Sequence, residues 1–431
     1  MEKFFELREK GTTVRREIFA GLTTFLTMAY ILAVNPGMLG SIGKGMTPQA
    51  VFTATAIASA IATIVMAFAA NLPVALAPGM GLNAFFTYTV VFKMGYSWQV
   101  ALTAVFLEGI LFVILSLFNV REAIIKAIPK NLKKAVAVGI GLFIALIGFA
   151  NARIVIQEAG TIIGFGSVTS GAPLLAMIGL VIITVLYVAK IPGSILIGII
   201  LTTVIGIPMG ITDITGFKFE SPAAPLFFRF DFSPSTIFSF NFFTIFFTFL
   251  FVDIFDTIGT LVGVTTQAKL IDDKGNIPNV KQALLSDAVG TVAGAALGTS
   301  TVTSYIESSA GVSAGGRTGL TSLTTGILFL LAIFLSPIFL LIPYAATAPA
   351  LIFVGFLMMQ PVTSIDFTDP TEGMPAFLTI IIMPFAYSIA DGIVYGIIFY
   401  VILKFAGRKA RDVSVITWVL FVVFILYIIL K

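Results

Sequence analysis

Apolar residues come in long runs, near 16–35, 49–69, 98–118, 134–150, 173–189, 192–208, 241–264, 283–297, 319–338, 344–360, 375–389 and 391–405. Most match what a helix needs to cross about 30 Å of hydrocarbon. Two further segments, 74–92 and 299–316, hold the same relative place among their neighbours but are broken by Gly, Pro and small polar residues. The first reads Val74-Ala-Leu-Ala-Pro78-Gly-Met-Gly-Leu-Asn83-Ala-Phe85-Phe, the second Gly298-Thr-Ser-Thr-Val-Thr-Ser304-Tyr-Ile-Glu307-Ser-Ser-Ala-Gly. Pro78 suits the opening turn of a helix, Thr301-Val-Thr303 favours strand, and Ser304-x-x-Glu307 forms a capping box. Each segment therefore predicts a short strand running into a half-helix. A last apolar run, 413–430, has no partner in the first half and reads as a fifteenth span or a surface-lying helix.

The two halves match. Gly109-Ile-Leu-Phe112 recurs as Gly326-Ile-Leu-Phe329, Ile128-Pro129 with Gly141 as Ile342-Pro343 with Gly355, and Pro173 with Gly198 as Pro375 with Gly396. Counting the broken segments, each half holds seven spans. An odd number turns the second copy over, which gives an inverted repeat, and paired interrupted segments in such repeats mark a midplane binding site. Charge fits this topology: Arg15-Arg16, the run Arg121, Lys126, Lys130, Lys133 and Lys134, the loop Lys269 to Lys281, and Lys404, Arg408, Lys409 and Arg411 all fall on one side. That side is the cytoplasm by the positive-inside rule, and the N-terminus lies there too. The charged start, Met1 to Lys10, has no cleavage site and reads as a surface-lying segment.

Composition narrows the classes. Of 431 residues, 58% are hydrophobic and 11% charged, which excludes an ordinary soluble protein. The net charge of +4 is spread over short loops and gives no sign of a nucleic-acid partner. The chain contains no cysteine and no histidine, so thiolate, disulfide and imidazole chemistry are excluded. Proton chemistry inside the membrane has to run on carboxylates.

Those carboxylates stand out. Asp253 and Asp256 lie three apart within Phe-Phe-Thr-Phe-Leu-Phe-Val-Asp253-Ile-Phe-Asp256-Thr-Ile-Gly-Thr, where an ionisable group is costly unless it meets a partner or a wet cavity. Helical spacing puts both on one face with Thr257 and Thr260, opposite Phe251, Phe255, Ile258 and Val262. Glu307 is the third candidate. Glu108 is expected either to pair with a Lys or lie near an interface, or to handle ions; Asp391 belongs to a tight turn and Asp287 to a helix start.

Four stretches carry a family resemblance: Asp253-Ile-Phe-Asp256-Thr-Ile-Gly-Thr, Thr303-Ser-Tyr-Ile-Glu307-Ser-Ser-Ala-Gly-Val-Ser-Ala-Gly-Gly-Arg317-Thr-Gly-Leu, Ala77-Pro-Gly-Met-Gly-Leu-Asn83-Ala-Phe-Phe and Thr27-Met-Ala-Tyr30-Ile-Leu-Ala-Val-Asn35-Pro. They resemble the AzgA-like purine permeases, carriers of adenine, guanine and hypoxanthine related to the uracil and xanthine permeases. The resemblance covers nearly the whole chain. It implies an all-α, fourteen-span, seven-plus-seven fold with short strands in the third and tenth segments. It also implies a core (14–119 and 240–338), a gate (120–239 and 339–412) and an extra segment 413–431. Substrate is implied to lie between the third and tenth segments, held by Asp256 and Glu307. Where uracil permeases carry a histidine four residues after the first acid, this chain has Thr260, which puts proton handling by that residue in doubt.

The chemistry points the same way. A purine is flat and edged with N–H donors, so carboxylates accept from its edge while aromatic rings cover its faces. Asn83, Thr257, Thr303 and Ser304 are the expected polar contacts, and Tyr30, Phe85, Phe86 and Tyr305 the stacking groups. If one acid binds the base in only one protonation state, occupancy and protonation become linked, which makes the proton the expected coupling ion through Asp253, Asp256 and Glu307, with sodium the alternative. No cofactor is expected. The gate helices offer an apolar surface for a homodimer. The rival readings are another nucleobase, an anion carrier of the same fold, a channel, or a membrane-embedded aspartyl enzyme; two acids disfavour an anion, and the repeat disfavours an enzyme.

Overall fold

The computed structural model describes residues 2–117, 129–158, 161–215, 219, 221–271 and 277–430. Arg121, Lys126, the expected boundary at 119–120 and Lys274 lie outside these residues. The chain opens with helices α1 (Val14–Met28), α2 (Ile31–Gly40) and α3 (Pro48–Val65), the last extended by a π turn to Ala70. Strand β1 (Leu76–Pro78) leads into α4 (Met80–Ala84), which widens into π turns over Phe85–Lys93, followed by α5 (Trp98–Leu117) and α6 (Lys130–Asn151). A hairpin, β2 (Val155–Glu158) with β3 (Thr161–Phe165), precedes α7 (Gly171–Val188) and α8 (Ser194–Gly206).

The second half runs α9 (Phe240–Gln267), α10 (Val280–Leu297), β4 (Val302–Ser304), α11 (Ser308–Ser313) and α12 (Gly319–Ala332). It ends with α13 (Tyr344–Met358), α14 (Pro370–Phe385), α15 (Ile389–Ala406) and α16 (Val415–Leu430). Side-chain caps open several helices: Thr13 accepts from Arg16 N, Thr47 from Ala50 N just before Pro48, and Ser239 from Phe242 N. Gly298 takes φ +93° to close α10, a conformation a Cβ would strain, and so releases the chain into the second broken segment.

Among the described residues, nine helical stretches are long and apolar enough to cross a membrane, from Val14–Gly40 to Ile389–Ala406. The chain is a mostly helical, multi-pass membrane protein. Two packing groups are visible. α1, α2, α3, α5, α9, α10 and α12 form one group, in which α2, α3, α9 and α10 touch the strands β1 and β4, while α6, α7, α8, α13, α14 and α15 pack among themselves. α16 leans on α15 and sends Phe424 edge-on to Phe247 of α9, ring centroids 5.5 Å apart.

Three local expectations are corrected. Asp391 sits not in a tight turn but in the first turn of α15, where its N–H donates to the Ser388 hydroxyl. Asp287 lies in the middle of α10, not at its start. The hairpin β2–β3 was not foreseen, because its polar and apolar residues alternate too briefly to stand out between two spans.

Candidate functional site at the paired strands

Backbone outside a helix is tolerable at membrane depth only when its polar groups are met by protein. β1 and β4 meet each other: they pair antiparallel, Leu76 opposite Ser304, Ala77 opposite Thr303 and Pro78 opposite Val302. The pairing continues through Gly79 N to Thr301 O (3.0 Å) and Tyr305 N to Ala75 O (2.9 Å). The outer edges are satisfied by one threonine each. Thr63 Oγ1 of α3 accepts from Leu76 N (2.9 Å) and donates to Leu76 O (3.1 Å). Thr291 Oγ1 of α10 accepts from Val302 N (3.3 Å) and donates to Val302 O (3.0 Å).

A cavity opens beside this pair. Tyr30, Gly79, Met80, Gly81, Asp256, Thr260, Thr303, Ser304, Tyr305 and Glu307 line it from the strand side, and Ile140, Val354 and Met358 face them. Thr303 Oγ1 donates to Asp256 Oδ2 (3.2 Å), Tyr30 OH donates to Glu307 Oε1, and Tyr305 OH donates to Pro78 O (2.6 Å). The expected capping box is not made. Ser304 is held inside β4 with its Oγ buried and without a hydrogen-bond partner among the described residues, α11 begins only at Ser308, and the Glu307 carboxylate turns to Tyr30 instead.

The polar stripe on α9 splits. Asp256 and Thr260 turn to the cavity, whereas Thr257 turns to α10 and Asp253, bonded to Thr257, does not line the cavity. Thr257 Oγ1 lies 2.7 Å from Asp287 Oδ1 and 3.2 Å from Asp253 Oδ1, so Thr257 is displaced from the site it was expected to complete. Thr244, Thr248, Thr265 and Thr266 of the same helix bond back to carbonyls of their own chain turn. Thr260 makes no described hydrogen bond and keeps its hydroxyl for the cavity.

Asn83 is also displaced. Its Oδ1 accepts from Ser300 Oγ and its Nδ2 donates to Pro78 O (3.4 Å), which ties α4 to the approach of β4. Phe85 and Phe86 are buried against Phe249, centroids 4.9 and 6.4 Å away, and do not line the cavity. Glu108 is buried in α5 and accepts from Thr301 Oγ1 (3.0 Å) rather than lying at an interface. Sequence reasoning missed Met80, Ile140, Val252, Val354 and Met358, since apolar lining residues look like any other residue of a span. The one available signal was the matched pair Gly141 and Gly355, each directly after a lining residue.

Chemically, the site offers two carboxylates with only partial hydrogen-bond complements, two uncommitted hydroxyls and apolar faces. The Xan_ur_permease family, described as a permease family, matches residues 15–395. The adenine permease AdeP of Escherichia coli (strain K12) is 44% identical over 430 residues, covering 100% of this chain and 96% of that protein. The guanine/hypoxanthine permease PbuG of Bacillus subtilis (strain 168) is 47% identical over 438 residues, covering 100% and 99%. Among solved structures, the transmembrane domain of the cyanobacterial bicarbonate transporter BicA superposes with a TM-score of 0.66 at 15% identity, over 89% of this chain and 97% of that one. SLC26A9 gives 0.62 at 11%, over 90% and 65%. Both likenesses concern the fold alone.

Proposed function

The chain belongs to the Xan_ur_permease family, a family of transporters and not of enzymes, and from that premise we propose that it imports purine nucleobases: adenine, guanine and hypoxanthine. The observation that carries the reading is the convergence of Asp256 and Glu307, from chain segments far apart, on one cavity beside the β1–β4 pair. Each accepts one hydroxyl from the protein and has oxygen lone pairs left for N–H groups on the edge of a base. Thr260, Thr303 and Ser304 supply hydroxyls, and Tyr30 and Tyr305 flank the base. Asp253, set behind this wall with Asp287, tunes coupling rather than touching substrate.

The fold supports an inverted seven-plus-seven arrangement, in which β1 and β4 are equivalent and the site lies at the join of the repeats. In this reading the core comprises 14–119 and 240–338 and the gate 120–239 and 339–412; the division of the helices into two packing groups supports it. Transport then proceeds by movement of core against gate. The basic loops set the N-terminus in the cytoplasm of a cell-membrane protein. Val181, Val185 and Val188, turned outward on α7, offer the gate surface for a homodimer. An anion is a poor fit, because two carboxylates would repel it.

Coupling to protons follows if a carboxylate must be protonated for the loaded carrier to move. The test is uptake of labelled adenine and hypoxanthine by purified protein in liposomes, with a proton gradient imposed and sodium absent. Accumulation is expected. Sodium-driven accumulation alone would overturn proton coupling, and no accumulation of any purine under either gradient would overturn the function.

A further inference from the structure

Accepting the purine reading, we propose that Ile140 and Val354 set the thickness of the substrate slot and so select flat solutes. α6 and α13 cross with their backbones touching at Gly141 and Gly355. A Cβ on Gly141 would lie 2.8 Å from Gly355 O, and one on Gly355 would lie 2.5 Å from Gly141 O. That contact leaves the crossing no slack. The residue before each glycine, Ile140 on one helix and Val354 on the other, lines the cavity, and the two are 4% and 7% exposed.

Ile140 is held on its other side as well. A Cβ on Gly81 would lie 2.6 Å from Ile140 Cγ2, so Ile140 is already seated on the half-helix that follows β1. Both wall residues are β-branched and stiff at χ1, whereas the nearby Met358 can flex to follow a ligand. The division of labour is therefore by direction. Carboxylates and hydroxyls read the edge of the base, and the Ile140–Val354 pair measures it through its face. Gly141 and Gly355, both on the gate side, hold the spacing of Ile140 and Val354 at one setting. A planar ring passes, and a substituent thicker than the ring meets a wall that cannot retreat without separating two backbones.

The experiment uses the full-length protein in liposomes, with adenine uptake competed by adenine and by its 8-methyl, 8-isopropyl and 8-tert-butyl derivatives, which keep an N–H edge while growing thicker. Ile140→Ala and Val354→Ala are expected to cut the parent's preference for adenine over 8-tert-butyladenine about tenfold, the scale of one or two methylenes in an apolar pocket. Ile140→Val, which removes a single methylene and keeps the branch, covers the case in which an alanine variant is lost from the membrane, with a change of about threefold expected. Exchanging the two sizes, Ile140→Val with Val354→Ile, should return the preference to within about twofold of the parent, which a loss of general packing would not do. Variants that carry adenine with an unchanged preference would overturn the proposal. A parent protein that carries no purine at all would overturn the purine reading and this inference with it.

Discussion

Asp256 and Glu307 are alike in chemistry and reach the cavity differently. One projects from the middle of a long helix and takes a hydroxyl from Thr303; the other stands at the joint between a strand and a short helix and takes one from Tyr30. Glu307→Gln keeps the shape but gives up charge-assisted acceptance, so affinity for the base should fall by about 10- to 100-fold, the value of a hydrogen bond to a charged group. Equilibrium binding to detergent-solubilised protein measures this. Tyr30→Phe should cost less, about tenfold or under, because the carboxylate survives. Equal affinity for Glu307→Gln and the parent would reduce Glu307 to a structural residue. Asp256 was legible in the sequence because a carboxylate in an apolar run is anomalous wherever it stands, whereas Glu307, among small polar residues, was singled out by its broken segment and the family resemblance. Asn83, Thr257 and Phe85 were not legible, because their neighbours are common residues, and only the packing of α4 on β4 and of α9 on α10 decides which way they turn.

At the scale of elements, Thr301-Val-Thr303 made the second broken segment readable as strand followed by half-helix, whereas Pro78, expected in the opening turn of a helix, is the last residue of β1 and α4 opens at Met80. The strands' partners Thr63 and Thr291 were hidden among the many threonines of the spans. Thr291→Val should leave both Val302 N–H and C=O without a partner in a dry interior, at a cost of about 1–3 kcal/mol each. A lowered melting temperature together with lost binding is expected, and an unchanged pair of values would mean that another group satisfies Val302. Outside the membrane, Asp369 caps α14 and accepts from Lys409 Nζ at 2.6 Å. That lysine and Thr371 hold the Asp369 carboxyl well below the usual carboxylate range, and the carboxylate raises the Lys409 ammonium. With the folded Asp369 depressed, its contribution is complete above the ordinary carboxylate value and lost only as acid approaches the folded one. With Lys409 raised, its contribution is complete below the ordinary lysine value and lost as pH climbs through the raised one. Between about pH 5 and 9 neither changes charge, so Lys409→Gln should leave the shape of an uptake-against-pH profile in that range unaltered. A displaced profile would assign part of the pH response to this ion pair.

Across the whole molecule, the described hydrogen bonds between the two packing groups gather at one end. Asn151 Nδ2 donates to Tyr88 OH (2.9 Å), Thr89 Oγ1 to Tyr387 O (3.3 Å), Lys93 Nζ to Ala386 O, and Tyr344 OH to Gly37 O (2.9 Å). Tyr387 adds edge-on contacts with Tyr88 and Phe143. Toward the far end of α9, Val262 and Ile306 are exposed and a side chain at Gly259 would meet open space. These bonds tie the two packing groups together at the end where Lys93 lies. Removing two ties, Asn151→Ala with Thr89→Val, should shift the population toward opening there. Because the chain has no cysteine, a thiol placed at Met80 reports this without background, and its labelling from the Lys93 side should rise severalfold. Unchanged labelling would mean that the apolar contacts, not these bonds, hold that end.

The bond from Tyr305 OH to Pro78 O spans 227 residues of chain, and the strand pair it belongs to has no nearer partner. During synthesis at about 5–20 residues per second, β1 emerges roughly 10–45 s before β4 exists. For that interval its backbone groups lie in or beside a bilayer with one edge covered by Thr63 and the other bare. Such long-range closure is slow, and the unfinished first half is the stage most open to misassembly or to surveillance by proteases. Expressed alone, residues 1–239 should be short-lived in the membrane, and supplying 240–431 as a separate chain should lengthen their half-life in a pulse-chase experiment. A first half that persists unaided would show that something other than β4 can cover that edge.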